Sequence, residues 1–293
     1  MLHVSGESTV LLGICLVFCA CSEPASERLS PTPSDSGLVV VDAAGRSLSF
    51  DRPPARVLSL VPSATAILVG LGVSDVLVGR TDFDTTAALR DLPSVGGGLQ
   101  PDLERLVTLR PDLVIRFAGE QDTVTPRALA ARGIPHLAVR PDRIEDVHAI
   151  VRQLGVVMGR VAKADLLIAT LDRELAEVRR LVAARERVRV AYLLGGIPPW
   201  VAGSETYVAD LLEVAGAANV FADLGDLYAS VSLEELLTRD IDAFVVARGT
   251  VVSPRLRARA PVREVSPDIE LPGLGLGHAA RALAEVLHPA AFR

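Results

Sequence analysis

Two short stretches have residue types that could bind a cofactor or a metal ion, but both lack part of the spacing that such sites need. Residues 275–280 read Gly-Leu-Gly-His-Ala-Ala, as in the turn that holds dinucleotide phosphates. That site also needs a further strand and an acidic residue about 20 positions later, and the sequence ends at Arg293. Residues 82–84 begin like a calcium loop, but Ala87 and Pro93 stand where Gly and Glu are required. We therefore expect neither site.

The histidines and cysteines do not form a catalytic or metal-binding pattern. Beyond residue 21 the sequence contains no cysteine, which excludes a disulfide or a cysteine metal site there. The histidines of that part lack the spacing of metal ligands, and we interpret each as structural or exposed; they are His136, His148, His278 and His288. No G-x-S-x-G or S-x-x-K sequence is present. The sequence thus predicts a protein that is not an enzyme and has no resident metal or cofactor.

A short motif that contains a glutamate occurs twice. Residues 103–112 resemble residues 233–242 at a constant offset of 130, and both copies end in aspartate. Two Leu-rich segments of an α/β protein can resemble each other by chance. Alternatively, two pseudo-symmetric lobes each expose one glutamate, Glu104 and Glu234. Such a pair would suit a two-fold partner that presents arginines, because bidentate Arg–Glu contacts fix orientation.

Short apolar runs typical of β-strands alternate with helical patterns from about residue 38 onwards. This alternation predicts parallel sheets covered by helices. The predicted strands are Arg56–Val61, Val76–Gly79, Leu113–Phe117, His136–Val139, Val188–Leu194, Asp242–Ala247 and Val262–Val265. The predicted helices are Ala64–Leu71, Leu103–Leu109, Thr125–Arg132, Tyr207–Ala215, Leu233–Leu237 and Gly277–Leu287.

The alternation is interrupted over residues 144–187, where apolar residues recur at helical spacing. Gly155 and Gly159 are predicted to end a first helix. Residues 161–187 are then predicted to form one helix of about 40 Å, at 1.5 Å per residue. Two α/β lobes joined by one long helix follow from this pattern.

The first residues have the pattern of an export signal. Residues 9–20 form an apolar run that is too short to span a bilayer and suits the apolar part of a signal peptide. The run ends in Phe-Cys-Ala-Cys, a relaxed lipoprotein signal in which Cys21 is the better lipid acceptor, because Phe18 is too large to precede Cys19. Glu7 and the lack of Lys and Arg ahead of the run leave a plain secretory signal or a misplaced start codon open.

The following residues 22–37 are polar and rich in Ser and Pro, as in a flexible tether. A lipid on the cysteine ahead of this tether would hold the protein at a membrane face, in the periplasm or at the cell surface. The sequence thus predicts a lipoprotein signal peptide at residues 1–21 and a tether at 22–37. An N-terminal α/β lobe at 38–159, a linking helix at 160–187 and a C-terminal α/β lobe at 188–293 follow. A net charge of −6 argues against nucleic-acid binding.

Several segments together resemble a known family of transport proteins. They are residues 56–65, 77–83, 92–97, 103–106, 110–114, 133–135, 198–204, 219–223 and 231–237. Their order and spacing resemble those of the ABC-importer substrate-binding proteins for vitamin B12 and ferric siderophores, over about residues 50–290. The resemblance implies two Rossmann-like α/β lobes with central parallel sheets, one long backbone helix that joins them, and a ligand cleft between the lobes.

The resemblance also implies roles for particular residues. Glu104 and Glu234 stand where this family has the glutamates that pair with permease arginines. The implied ligand-binding positions are an aromatic residue in each lobe and the late cleft loop, namely Phe83, Tyr228, Asp268 and Ile269. Both of these aromatic residues could equally be ordinary rim residues. Trp200 would be a third aromatic residue near the cleft, and Arg248 could meet an anionic ligand group or be a solvated surface arginine.

The sequence departs from the family pattern at positions that concern the ligand. Gly98 stands where the enterobacterial B12-binding member has a tryptophan, so one stacking wall of the ligand site is missing. Thr85 and Thr86 replace part of a common Asp-Tyr-Pro-Pro segment, and Ala66 replaces a common glutamate. These differences affect the choice of ligand more than the class of protein.

The resulting hypothesis is an exported, lipid-anchored, monomeric protein that delivers cobalamin or a related metal chelate to the permease dimer of an ABC importer with its ATPase. Lobe closure is expected to be small, because a long helix is a stiff linker. A ferric-siderophore or haem-binding protein and a stand-alone surface receptor without a transporter are the alternatives. A cytoplasmic α/β enzyme would require that residues 9–20 are not a signal.

Overall fold

Strands and helices alternate along residues 38–119 and 122–293, the part of the chain that the computed structural model describes. The strands β1–β12 are, in chain order, Leu38–Val41, Ser47–Phe50, Val57–Ser59, Leu77–Gly79, Leu113–Phe117, His136–Val139, Val188–Gly195, Trp200–Ala202, Ala217–Asn219, Tyr228–Ser230, Ala243–Ala247 and Val262–Val265. The helices α1–α9 are Pro62–Gly70, Leu103–Thr108, Val124–Ala130, Ile144–Val157, Val161–Val182, Tyr207–Val214, Leu233–Thr238, Pro254–Arg259 and Leu276–Leu287. The predicted signal peptide with Cys21 and the predicted tether lie outside the described residues.

The first lobe is built on a parallel sheet with the strand order β4–β3–β5–β6. Every residue of β3 and β6 is buried, as is typical of parallel strands that helices cover on both faces. The predicted strands Leu113–Phe117 and His136–Val139 agree with the structure residue for residue. The sequence pattern therefore locates the centre of this sheet correctly.

A hairpin of β1 and β2, which the sequence pattern does not predict, precedes this sheet. Asp42 at its turn is buried, and its carboxylate accepts hydrogen bonds from the backbone amides of Arg46 and Ala138. The Arg46 guanidinium lies 2.6 Å from the Asp42 carboxylate and 2.5 Å from Nε2 of His136 in β6. This polar cluster fixes the hairpin to the sheet.

Helix α4 continues through Gly155, so the expectation that Gly155 ends it is wrong. A Cβ at Gly155 would lie 2.5 Å from the Cβ of Ala164 in α5, and glycine therefore allows the two helices to pack closely. The helix ends at Val157, and Gly159 follows with a φ of +63°, which favours glycine. The second glycine marks the helix end, whereas the first one serves helix packing.

Helix α5 packs against α4 and α9 and carries one apolar face. Its buried residues are Ala164, Ile168, Leu171, Leu175, Val178 and Val182, at the spacing of an amphipathic helix. The helix ends before residues 183–187, which are all exposed and offer no apolar face to bury. The buried side chains of α5 belong to a hydrophobic core that includes Val57 of the first lobe and Val190 of the second. One continuous core thus runs through both lobes.

The second lobe contains a mixed sheet with the strand order β10–β8–β7–β11–β12. Strands β7, β11 and β12 are parallel, and β9 also pairs in parallel with β7. The short strands β8 and β10 add an antiparallel edge; β8, β9, β10 and helix α8 are absent from the sequence-based prediction. Across residues 38–119 and 122–293, none of the helices combines the length and the apolar character needed to cross a bilayer.

A polar bridge connects the start of α4 to the second lobe. Nε of Arg143 lies 3.0 Å from both carboxylate oxygens of Asp210 in α6, and Nη1 lies 2.8 Å from Glu205. The same Asp210 carboxylate accepts a hydrogen bond of 2.9 Å from the backbone amide of Ile144. The Asp210 side chain of the second lobe therefore stabilises the amino end of α4, which belongs to the first lobe. We call these four residues the lobe bridge.

Candidate functional site

A cavity of about 480 Å³ lies between the two lobes. Its residues from the first lobe are Leu99, Phe117, Gly119, Asp122, Arg140 and Asp142, and those from the second are Leu227 and Tyr228. Most of the first set lie at or just after the carboxyl ends of β5 and β6. Ligands of α/β proteins bind at this end of parallel strands. We call this space the cleft cavity.

The charged residues of the cleft cavity are held by local contacts. The Asp122 carboxylate is buried and accepts a hydrogen bond of 2.9 Å from the backbone amide of Thr125, at the start of α3. The Arg140 guanidinium donates a hydrogen bond to the Asp142 carboxylate. The walls thus combine hydrogen-bonding groups with apolar surface, as suits a ligand with both polar and apolar parts. Within the described ranges, no cluster of three His, Cys, Asp or Glu side chains could hold a metal ion.

Tyr228 connects the cleft cavity to a group of tyrosines. Tyr207 is a buried neighbour of Tyr228, and the hydroxyl of Tyr192 donates a hydrogen bond of 3.2 Å to Glu270. Burial raises the pKa of Tyr228 to about 12, and the Asp142 charge adds to this effect. Burial also raises the pKa values of Tyr192 and Tyr207. At neutral pH, Tyr228 therefore presents a neutral phenol to a ligand.

Of the predicted ligand-binding residues, the described structure places Tyr228 at the cleft cavity and the others away from its lining. The exposed fractions of Phe83 and Trp200 are 67% and 48%. Arg248 and Asp268 are exposed as well. These four side chains are therefore free to meet a ligand that extends beyond the cavity, but they do not form it.

The two remaining predicted positions have structural explanations. Ile269 is 1% exposed and packs in the main core, so its side chain offers almost no surface to a ligand. A Cβ at Gly98 would lie 2.1 Å from the carbonyl oxygen of Leu60, just after β3. Only glycine permits this close backbone approach. The next residue, Leu99, is half exposed and lines the cleft cavity.

Sequence reasoning missed most residues of the first-lobe wall. Phe117 is the last residue of a strand that the sequence predicts correctly, and Arg140 and Asp142 follow the end of another. The rule that ligands bind at the carboxyl ends of parallel strands would have identified these positions. Asp122 and Leu99 lie in loops away from the ends of the predicted strands, so this rule does not identify them.

The repeated motif has the same backbone contacts in both lobes. The Asp112 carboxylate accepts a hydrogen bond of 2.9 Å from the amide of Arg56, and its own amide donates one of 2.8 Å to the Arg56 carbonyl. The Asp242 carboxylate accepts one of 2.8 Å from the amide of Arg189, and its amide donates one of 2.9 Å to the Arg189 carbonyl. The two aspartates thus attach equivalent helix–strand units to equivalent strands.

The two glutamates occupy the same position in these units. Glu104 is the second residue of α2, after the side-chain cap of Asp102, and Glu234 is the second residue of α7, after the cap of Ser232. Both are exposed. Among the described residues, neither carboxylate lies within 4.0 Å of a basic side chain, whereas the adjacent Glu235 is paired within the chain. Both glutamates are therefore available to a partner.

The sequence is similar to that of a known protein family and of individual members of transport systems. Residues 57–258 match the family model described as periplasmic binding protein. A vitamin B12-binding protein of Salmonella paratyphi A is 30% identical over 193 residues, which cover 66% of this chain and 72% of that protein. An uncharacterized ABC transporter substrate-binding lipoprotein of Bacillus subtilis is 24% identical over 255 residues, with 84% and 81% covered.

A solved structure gives the same result for the fold. The periplasmic heme-binding protein from Roseiflexus sp. RS-1, in its apo form, superimposes with a TM-score of 0.69 and 25% sequence identity, over 80% of this chain and 98% of that one. Proteins of this kind act outside the cytoplasm, where they bind small ligands for the permease and ATPase of an ABC importer. Since the family model spans more than half of the sequence, the chain belongs to the periplasmic binding protein family, whose members are substrate-binding proteins of transporters and not enzymes.

Proposed function

We propose that this chain is a monomeric, lipid-anchored substrate-binding protein that captures cobalamin or a related metal chelate and delivers it to the permease of an ABC importer. The observation that carries the importer role is the pair of exposed glutamates on equivalent units of the two lobes. The proposal includes the division into lobes at residues 38–159 and 188–293 with a linking segment at 160–187.

The proposed ligand site is centred on the cleft cavity. Tyr228 and Phe117 supply aromatic surface, and the vitamin B12-binding relative from Salmonella supports cobalamin as the cargo. Cobalamin is larger than the cleft cavity, so part of it would extend towards the exposed rim. In this proposal Phe83, Trp200, Arg248 and Asp268 contact that part. Gly98 contributes only backbone atoms to the ligand site, and Ile269 holds the loop of Asp268 in place from the core.

Calorimetric titration of the mature chain with cyanocobalamin tests the ligand. We expect one-to-one binding with a Kd of about 1 μM or below, which corresponds to at least about 8 kcal/mol. Tyr228→Leu should weaken binding about tenfold, because it removes the aromatic surface and the phenol. Leu166→Ala, at an exposed leucine of α5 outside the cavity, is the control.

A second cargo is supported by the Roseiflexus relative, which binds heme. The same titration with haemin and with a ferric hydroxamate distinguishes this alternative. Binding of either one without heat from cyanocobalamin would replace cobalamin as the cargo and make Arg248 a candidate for an anionic ligand group. If none of the three compounds binds, the proposed cargo class is wrong.

Reversal of both glutamates, Glu104→Lys with Glu234→Lys, tests delivery. We expect uptake to be abolished and ligand affinity to stay unchanged, because loss of one partner of an interfacial charge pair costs about 2–5 kcal/mol. Glu186→Lys with Glu264→Lys changes the net charge equally at two other exposed glutamates and should preserve uptake. Loss of ligand binding in the first variant would contradict the docking role. Normal uptake in the first variant would show that the two glutamates do not dock the protein, and absence of uptake by the original chain would support a stand-alone receptor.

The lipid anchor is proposed from Cys21 and from the name of the Bacillus relative, which is called a lipoprotein. Metabolic labelling with palmitate measures acylation directly. We expect labelling of the whole chain and its loss in Cys21→Ser. Labelling that survives this substitution would show that Cys21 is not the acceptor.

A further inference from the structure

An apolar groove of about 940 Å³ lies in the second lobe. It is formed by the segment between β7 and β8, the segment after β11 and the amino ends of α7 and α8. Its apolar lining includes Ile197, Pro199, Leu233, Val251, Val252 and Leu256. Ile197 is 100% exposed and Val251 is 87% exposed. Aliphatic side chains so fully exposed around one groove mark a surface that another molecule covers.

The groove is continuous with the proposed docking surface, because Glu234 is one of its lining residues. The next residue, Glu235, is held 3.0 Å from Arg239 and cannot compete for a partner's cation. The groove thus presents one available carboxylate at the edge of apolar surface. A complementary partner has a basic side chain flanked by apolar ones.

The surroundings of the equivalent Glu104 differ in chemistry. Its cavity, of about 600 Å³, is lined by Asp102, Arg105 and Thr108 among other residues. The guanidinium of Arg105 lies 3.1 Å from the Asp102 carboxylate. Pro93 and Leu109 add apolar surface to this cavity, so the difference between the two sites is one of charge. Glu104 has two other charged side chains beside it, whereas Glu234 is the one charged residue in the described lining of the groove.

We propose that the groove receives an apolar segment of the importer permease, whose arginine pairs with Glu234, whereas the contact at Glu104 is polar. This inference rests on the proposed docking function of the two glutamates. It adds that docking is asymmetric, with the second lobe contributing contacts that salt does not screen. Exposed charge pairs weaken as salt rises, but burial of aliphatic surface does not.

The permease suits the groove better than two other occupants. In a symmetric contact between two copies of this chain, the same surface meets itself, which would bring two Glu234 carboxylates together. A captured small ligand would lie between the lobes, but residues 193–256 supply the whole described lining of the groove, without any contribution from the first lobe. Both alternatives remain outcomes of the test.

The experiment measures binding of the mature chain to its purified permease–ATPase complex in nanodiscs, at low salt and at about 1 M salt, where the Debye length is about 3 Å. Ile197→Ser with Val251→Ser should weaken binding about tenfold or more, because each removes aliphatic surface that the partner buries. The binding that remains should vanish at high salt. Glu104→Gln with Glu234→Gln should instead leave binding that is weak but insensitive to salt.

Controls separate this inference from the proposed function. Val124→Ser with Leu166→Ser removes two other exposed aliphatic side chains and should bind as the original chain does. Thermal unfolding checks that each variant folds, and Ile197→Gln alone is the second groove variant. If the glutamate variants bind normally, the docking function itself is wrong. If they lose binding and both groove variants do not, only the groove inference is overturned.

The same variants examine the other occupants of the groove. Sedimentation that shows a dimer of the original chain, lost on Ile197→Ser with Val251→Ser, would assign the groove to a second copy. Loss of cyanocobalamin or haemin binding in that variant, with normal permease binding, would assign it to the small ligand. Either result overturns the proposed permease contact.

Discussion

His136 occupies a place that accommodates its neutral form. Its Nδ1 lies 3.2 Å from the carbonyl oxygen of Ile134, and its Nε2 lies 2.5 Å from the Arg46 guanidinium. The proton is therefore on Nδ1, and Nε2 accepts the hydrogen bond from the cation. Burial and the charges of Arg46 and Arg116 lower the pKa of His136 below 6.5, against a smaller opposing effect of the Ile134 carbonyl.

This contact predicts that the protein loses stability in mild acid. Below about pH 6.5 the unfolded chain binds a proton that the native His136 still excludes, so the free energy of unfolding falls as pH decreases. His136→Gln keeps an acceptor for Arg46 and should flatten this dependence in part. Burial lowers the pKa of His148 as well, and that residue contributes with the same sign.

Urea unfolding as a function of pH measures this effect, with His278→Gln at an exposed histidine as the control. An unchanged slope in His136→Gln would show that the histidine does not carry the effect. A stability that rises towards acid would contradict the assignment of a neutral native histidine.

Gly98 gives a second prediction at the level of one residue. Gly98→Ala would bring a Cβ to 2.1 Å from the Leu60 carbonyl oxygen, so the backbone must move. We expect a loss of about 1–3 kcal/mol, as for overpacking of a core, measured by urea unfolding. Gly225→Ala, where nothing lies within 4 Å of an added Cβ, is the matched control. Equal stability of the two variants would contradict the close contact.

Among the elements, the lobe bridge has the clearest energetic role. Asp210 pairs with Arg143 and also accepts the amide hydrogen bond of Ile144 at the amino end of α4. The Asp210 hydrogen bond raises the pKa of Arg143, and Glu205 adds to this. The exposed fraction of the Asp210 side chain is 16%, but that of Arg143 is 39%, so solvent screens part of the attraction.

We predict that Asp210→Ala destabilises the protein by about 1–3 kcal/mol and Asp210→Asn by less, because the amide can still accept the hydrogen bond from Ile144. Urea unfolding measures both. In a double-mutant cycle with Arg143→Met, the two effects should be non-additive. The exposed pair Arg281–Glu285 is the control, where the loss should be about 0.5 kcal/mol or less. Additive effects in the cycle would show that the bridge is not coupled.

The sequence predicts the central parallel strands and the long helices well but misses the hairpin and the short strands added to the second sheet. A strand such as His136–Val139 is a short apolar run that a sheet buries on both faces. Strands β8, β9 and β10 have three residues each and, unlike the equally short β3, include exposed or half-buried residues in place of a continuous buried run. The hairpin at Ser47–Phe50 alternates polar and apolar residues and depends on a distant contact to β6.

The candidate site is less predictable than the fold for a related reason. The family resemblance implies Tyr228 as a ligand-binding position, and this residue lies six positions before Glu234, in the strand that directly precedes α7. The opposite wall is formed by Asp122 and Arg140, whose positions depend on where separate strands end in space. The number of residues between Asp122 and Arg140 does not indicate how close their side chains lie in the folded chain. The exposed Phe83 also shows that a matching position need not line the cavity.

For the whole molecule, the continuous core limits how far the lobes can move. Helix α5 packs on α4 and α9, and buried residues connect β3 of the first lobe to β7 of the second. A large hinge rotation would open this core to water, at a cost of about 25 cal/mol for each Å² of apolar surface exposed. We therefore predict that ligand capture proceeds with little rearrangement of the lobes.

Small-angle X-ray scattering checks this prediction. The radius of gyration of the mature chain should be the same with and without a saturating amount of the compound that binds in the titration. Asp210→Ala, which removes the lobe bridge but not the core, should also leave it unchanged. A clear decrease on ligand addition would show that the two lobes close like a hinge.

The close approach at Gly98 has a consequence for the evolution and redesign of cargo preference. A large side chain cannot be introduced at this position, so no single substitution there restores an aromatic wall. Leu99 is 50% exposed and already faces the cleft cavity, which makes it the nearest position where residue size can vary. A library that adds bulk to this part of the wall can therefore vary Leu99, while position 98 stays glycine.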